Sequence, residues 1–269
     1  MIFVLGSLVS ACGDASKTAP APRGVFRLKF DVIGWRMGSD GGTAISEALF
    51  DQAVKTTFQG VTVRRLEVKR ASLSGEMVVS ESRGALALEV RIDAAEIPFP
   101  LTMTLAADAD ISGEHRLDAL MKRGLSDLAT AVQEMVRIAE GRESEWISAL
   151  ASAEPDIQIL GARLLGVNKV KGAIDPLAAL LTDPREAVAE AAADALKRIG
   201  DERAVPLLIQ SIRRGDIRSE VRVIEAIGNI GGAEAEAYLE MTAIGHELVE
   251  VRRISKELLD RLRKEKKRP

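Results

Sequence analysis

The sequence is poor in aromatic residues, histidine and cysteine, with 2 Trp, 1 Tyr, 6 Phe, 2 His and 1 Cys among 269 residues. A single cysteine cannot close a disulfide within the chain, and two histidines leave little material for a zinc site. An excess of charge of one sign is missing too. Lys+Arg number 37 against 40 Asp+Glu, a net charge of -3. That balance lacks the cationic surplus on which a dedicated nucleic-acid binder relies, so no nucleic-acid partner is expected. The apolar stretch Ile2 to Val9 falls well short of the roughly 20 residues that a membrane-spanning helix requires. What is present is apolar material, 46% of the residues, beside 29% charged ones. A packed core is therefore within reach and wholesale disorder is excluded.

The amino terminus reads as an export signal. Ile2 to Val9 matches the apolar region of a secretory signal, and Val9-Ser10-Ala11-Cys12 follows it. Small Ser10 and Ala11 fit the narrow pocket of a signal peptidase, and the only cysteine stands where lipidation needs one. The pattern resembles a bacterial lipobox. That resemblance implies a signal peptide over residues 1–11, a diacylglycerol on the Cys12 thiol and a linker to residue 23. Residues 1–11 carry no Lys or Arg, so the basic region that ordinarily precedes the apolar run is expected upstream of Met1. An ordinary cleaved signal and a buried amino-terminal strand are the alternatives. With Gly13 after the cysteine, the resemblance points to the periplasmic leaflet of the outer membrane if the host has two membranes.

Residues 24–142 read as an α+β domain. Phe26, Leu28, Phe30 and Val32 alternate with polar residues, the period of a half-buried strand. Gly38 to Gly42 reads as a loop, and Ser46 as the cap of a helix to about Thr57. Val61, Val63, Leu66 and Val68 predict a second strand with a bulge at Arg64-Arg65, and Met77 to Ser80 a third. Leu86 to Ile92 and Leu101 to Leu105 supply two more. From Leu117 to Ala139 the apolar period becomes helical. Strands followed by a covering helix imply an α+β layer. The element order resembles small periplasmic domains of bacterial lipoproteins and the amino-terminal part of TolB-like proteins.

From residue 143 to 269 the chain repeats. Ile157, Val188, Ser219 and Val251 begin corresponding stretches at offsets of 31, 31 and 32 residues. Seven and eight residues beyond each start stand Leu164-Leu165, Ala195-Leu196, Ala226-Ile227 and Leu258-Leu259, one apolar face per helix. Second helices begin near Ala173-Ile174, Ala204-Val205 and Ala235-Glu236, after turns at Gly172, Gly200-Asp201 and Gly231-Gly232. The stretch Ile199 to Ile209, with Pro206 in the first turn of its helix, resembles the short HEAT-like repeats named after phycobilisome lyases. An all-α HEAT-like solenoid is the fold this implies, with a helix over Glu145 to Ser152 sealing one end and the basic tail after Arg261 capping the other.

Little in the chain suggests catalysis. His246-Glu247 lacks the second histidine of an HExxH site, and Gly38-x-x-Gly41-Gly42 lacks the Lys-Ser/Thr of a phosphate loop. No G-x-S-x-G elbow marks a nucleophile, and neither cofactor nor metal is expected. The reading is a scaffold that binds another protein on the face formed by the second helices. Gln210, Arg213, Arg214, Glu240 and Thr242 are its surface candidates. One rival places binding in the α+β domain of an envelope assembly factor, with the solenoid as spacer. A bilin lyase-like enzyme, which the repeat resemblance raises, sits badly with an export signal.

Overall fold

The computed structural model describes residues 26–39, 45–80, 83–110, 116–212 and 216–266. Cys12, His115, Arg213 and Arg214 lie outside them. The mixed part comprises β1 (Phe26–Arg27), β2 (Asp31–Ser39), α1 (Glu47–Thr57), β3 (Thr62–Val63), β4 (Val68–Ser80), β5 (Arg83–Ala94), β6 (Leu101–Asp110) and α2 (Arg116–Ala139). The main sheet runs β2-β4-β5-β6, with β2 parallel to β4 and the rest antiparallel, while β1 and β3 form a separate two-stranded ribbon. Ser46 caps α1 as expected, its hydroxyl accepting from the Leu49 N–H at 3.3 Å. The buried side chains of β5 alternate along its length, and α2 covers that face with Leu125, Leu128 and Val132, all fully buried.

Two details of the strands differ from expectation. The alternation from Phe26 to Val32 is not one strand: Leu28 and Phe30 are buried in the link that hands the chain from the ribbon to the main sheet. The stretches around Val68 and Met77 are a single strand of 13 residues that passes through Gly75. Trp35 stacks on Phe50 with ring centroids 4.0 Å apart, and a Cβ on Gly75 would lie 3.0 Å from both side chains. Glycine there makes room for the stack rather than breaking the strand. The bulge falls at Lys69 in the β4–β5 ladder, not at Arg64-Arg65.

The rest is helical: α3 (Glu143–Ala149), α4 (Pro155–Val167), α5 (Ile174–Leu180), α6 (Glu186–Ile199), α7 (Ala204–Ser211), α8 (Ile217–Ile230), α9 (Ala233–Gly245) and α10 (Val249–Lys266). The first helices α4, α6, α8 and α10 stack in one row and the second helices α5, α7 and α9 in another, an α+β unit followed by a HEAT-like solenoid. Small residues set the spacing. A Cβ on Gly166 of α4 would stand 2.8 Å from Ala195 Cα of α6, so only glycine permits that approach. Polar ties also cross repeats. Arg185 donates to Gln158 Oε1 (2.6 Å) on α4, and buried Gln158 donates to the Leu150 carbonyl (2.9 Å). The same guanidinium holds the Asp183 carboxyl well below the usual carboxylate range, at about 2.

The solenoid does not hang from the sheet by a linker. Asp156 of α4 accepts from the Thr104 N–H (2.8 Å) and hydroxyl (3.0 Å) on β6, covering that edge strand. Arg163 lies 5.8 Å over the Phe99 ring, and the Trp146 indole N–H donates to the Ile138 carbonyl at 3.0 Å.

The hairpin turns carry one mismatch. Gly200 and Gly231 end the first helices of their hairpins at φ +67° and +77°, the left-handed region open to glycine. Thirty-one residues before Gly200 the first hairpin has Lys169, at φ +51°. A side chain in that region costs about 1 kcal/mol. Lys169→Gly is therefore expected to raise the unfolding free energy by about 0.5–1 kcal/mol, read as a higher urea midpoint with unchanged slope.

Candidate functional site

The second helices leave grooves between them. Between α5 and α7 lies one of about 380 Å³, lined by Ala178, Thr182, Leu207 and Gln210 among others. The larger one, about 610 Å³, lies where α7, α9 and the first turn of α8 meet the turn into α10, and its walls include Ile209, Ile212, Tyr238 and Met241. Apolar side chains stand out around it. Met241 is 63% exposed and Ile244 79%, and Leu248 and Val249 continue the exposed stretch. Clustered exposure of large apolar side chains is the ordinary mark of a contact surface.

At the floor of this groove sits a carboxylate–imidazole hydrogen bond. Glu220 is buried in the first turn of α8, and its Oε1 lies 3.0 Å from His246 Nε2. The Leu248 N–H donates to His246 Nδ1 at 3.1 Å, which leaves Nε2 as the protonated nitrogen that donates to Glu220. Arg252 donates to the carbonyls of His246 and Glu247 and so fixes the turn. Burial, with the nearby Glu220 charge, pushes the Tyr238 phenol above its ordinary value despite the opposing hydrogen bond to Thr242, so it stays a neutral hydroxyl. The hydroxyls of Ser211 and Thr242, which line these grooves, donate to the Leu208 and Tyr238 carbonyls of their own helices. The arrangement suits recognition of a mixed apolar and polar surface. Among the described residues no cluster of three or more metal-ligating side chains occurs.

Of the expected surface residues, Gln210 is exposed on the wall of the smaller groove. Thr242 is not a surface residue. It is 5% exposed and its hydroxyl donates to the Tyr238 carbonyl at 2.8 Å, because it follows Ala235 and Leu239 on the buried stripe of α9. Glu240 lines neither groove; it pairs with Arg263 of α10 at 3.0 Å and ties those two helices together. His246 has Glu220 as partner, 26 residues away, rather than its neighbour Glu247. Tyr238, Met241 and Glu220 were missed by the sequence reading; the exposed Met241–Ile244 pair, three apart on one helix, was the available signal.

A family model described as HEAT repeats matches residues 143–222, which agrees with the stacked hairpins. No curated protein matches the chain. Among solved structures the chain is similar to the crystal structure of an engineered protein from the Northeast Structural Genomics Consortium. The two share 16% identity over 56% of this chain and 76% of that one, with a TM-score of 0.35.

The Glu220–His246 hydrogen bond sets an expectation. Removing the imidazole leaves a largely buried carboxylate without its donor, which costs about 1–3 kcal/mol. His246→Ala is expected to lose that much in urea unfolding. Glu220→Gln, whose amide oxygen still accepts from Nε2, is expected to lose clearly less. Equal losses in both variants would show that the contact contributes nothing specific.

Proposed function

We propose that this chain is a protein-binding scaffold, held at a bacterial membrane by a lipid on Cys12, that captures its partner on the second-helix face of the solenoid. The observation that carries the reading is the larger groove, where exposed Met241 lines the wall over Glu220 and His246, with exposed Ile244 one turn further along the same helix. Such a mixed lining favours a partner segment with an apolar anchor and a hydrogen-bonding group beside it. The HEAT-repeat match supports it, since stacked hairpins offer a firm, extended face of this kind. The lipobox-like Val9-Ser10-Ala11-Cys12 supports the anchor and the cell-envelope location, at the periplasmic face of the outer membrane in a host with two membranes. Among the described residues no helix is long and apolar enough to cross a membrane. A second reading, in which the α+β unit does the binding, draws on the cationic cavity described in the next subsection; the shared packing of α4 with the sheet argues against the solenoid as a loose spacer.

Two outcomes follow. Met241→Asp puts a charge into the apolar wall and is expected to remove the specific partners recovered by affinity capture from envelope extracts. Glu240→Ala, outside both grooves, is expected to leave them; an unchanged profile with Met241→Asp would move the binding to the α+β unit. Separately, Cys12→Ala is expected to turn a detergent-requiring protein into a freely soluble or signal-retaining one. A variant that still fractionates with membranes after the same processing would refute the lipid anchor.

A further inference from the structure

The ends of the ribbon and of the main sheet enclose a cavity of about 470 Å³ whose lining includes Arg27, Lys29, Lys69 and Arg70 against Asp31 and Glu67. All four cations are exposed, and among the described residues none of them has an ion-pair partner. What sets them apart is that all four line one cavity, whereas Arg137, Arg185 and Arg203 each take a nearby carboxylate, Glu134, Asp183 and Asp201.

Part of the reason lies in the backbone. After β3 the chain turns, and its amides take up two nearby carboxylates, Glu140 and Glu96, though not those of Asp31 and Glu67: Glu140 Oε1 accepts from the N–H groups of Arg64 and Arg65 at 2.6 Å and of Leu66 at 3.3 Å. Glu96 accepts from the Glu67 N–H at 3.0 Å. Gln133 of α2 both accepts from the Thr62 N–H (2.9 Å) and donates to its carbonyl (3.3 Å). These bonds bolt the cavity wall to α2 while leaving the cationic side chains unneutralised. The extra residue in β4, Lys69, breaks strict alternation, and consecutive Lys69 and Arg70 both line the cavity.

We propose that this cavity binds a phosphate-bearing anion, presented in the cell by the headgroup of an anionic phospholipid. Four cations against the two carboxylates Asp31 and Glu67 leave the concave site net positive, and together they attract a phosphate group more strongly than any one cation alone. The source follows from the chain path. Arg27 lies 15 residues beyond Cys12, and an extended chain of that length reaches at most about 50 Å, with a typical span nearer 20 Å. A lipid on Cys12 therefore keeps the cavity close to the bilayer surface, and one lipid-borne signal combined with a basic patch is an effective pairing for stable attachment. The choice of lipid as source rests on the proposed anchor; the anion site itself does not.

The full-length chain carrying Cys12→Ser reads the cavity without the anchor. It is expected to float with vesicles of phosphatidylcholine and phosphatidylglycerol and not with phosphatidylcholine alone. Neutralising Lys69 and Arg70 to Gln is expected to weaken that binding about five-fold per side chain. The same charge change at Lys256 and Lys264, at the far end of the solenoid, is expected to leave it within two-fold. If vesicles are ignored but inorganic phosphate raises the Tm of the parent and not of the Lys69/Arg70 variant, the anion site stands and its source is a soluble phosphate. Vesicle binding that is equal in the cavity and control variants, or no response to either probe, overturns the proposal. Because Cys12 is absent from this assay, its failure is distinct from failure of the anchor.

Discussion

The structure depends on a helix that has no polar side to spare. Ile157, Leu160 and Leu164 of α4 pack into the core shared with the sheet and α2, while Ala162 and Leu165 pack into the core shared with α6. A helix buried on two sides joins whatever lies on each side, because separating either neighbour exposes an apolar stripe worth about 25 cal/mol per Å². The two cores therefore meet at α4, with Trp146 of α3 packed against both beside it, instead of being strung on a linker. Polar groups in its first turn finish the fit: Asp156 covers the edge of β6, and Gln158 links the Leu150 carbonyl to Arg185 of the next repeat. Single hairpins further along face the same constraint, since none can hide its own stripe, and each is stabilised by the one before it.

That dependence explains what could be read from the sequence. The repeat was legible because the constraint recurs: the same apolar positions return at offsets of 31, 31 and 32 residues, and glycine returns at the left-handed position of two turns. Lys169 hid the equivalent turn, since nothing in its residue type signals a positive φ. The long strand β4 was hidden by Gly75, which looks like a breaker until the Trp35–Phe50 stack is seen to lie over it. Side-chain phase was legible wherever it was followed. Ala235, Leu239 and Thr242 are spaced four and three apart, so Thr242 belonged to the buried stripe from the start.

Polar partnerships were legible only where they are local. Ser46 capping α1 and Arg253 pairing with Glu250 and Glu257 follow from spacing within one helix or its first turn. The Glu220–His246 contact spans 26 residues and exists because α8 and α9 lie side by side; no spacing rule connects them. The same holds for Glu140, whose carboxylate closes on three amides more than 70 residues earlier in the chain. Sequence shows that such a carboxylate is available. Only packing shows whether a side chain or a backbone amide takes it, and that allocation decides which cations remain unneutralised.

The allocation gives the molecule its two ends. Along the solenoid, carboxylates are spent on guanidinium groups, as where Arg222 meets Glu186 at 3.2 Å across repeats, so the exposed helices present little net charge and the apolar groove stands out. At the ribbon, carboxylates are spent on backbone amides, so positive charge stands out instead. Exposed ion pairs contribute little to stability, so the difference matters mainly to what each surface attracts. With α4 packed into both cores, the unit that carries the cationic cavity and the helices that carry the groove beside α9 are joined by continuous packing. The two sites have no lining residue in common, so each surface keeps its own character, one cationic and one apolar.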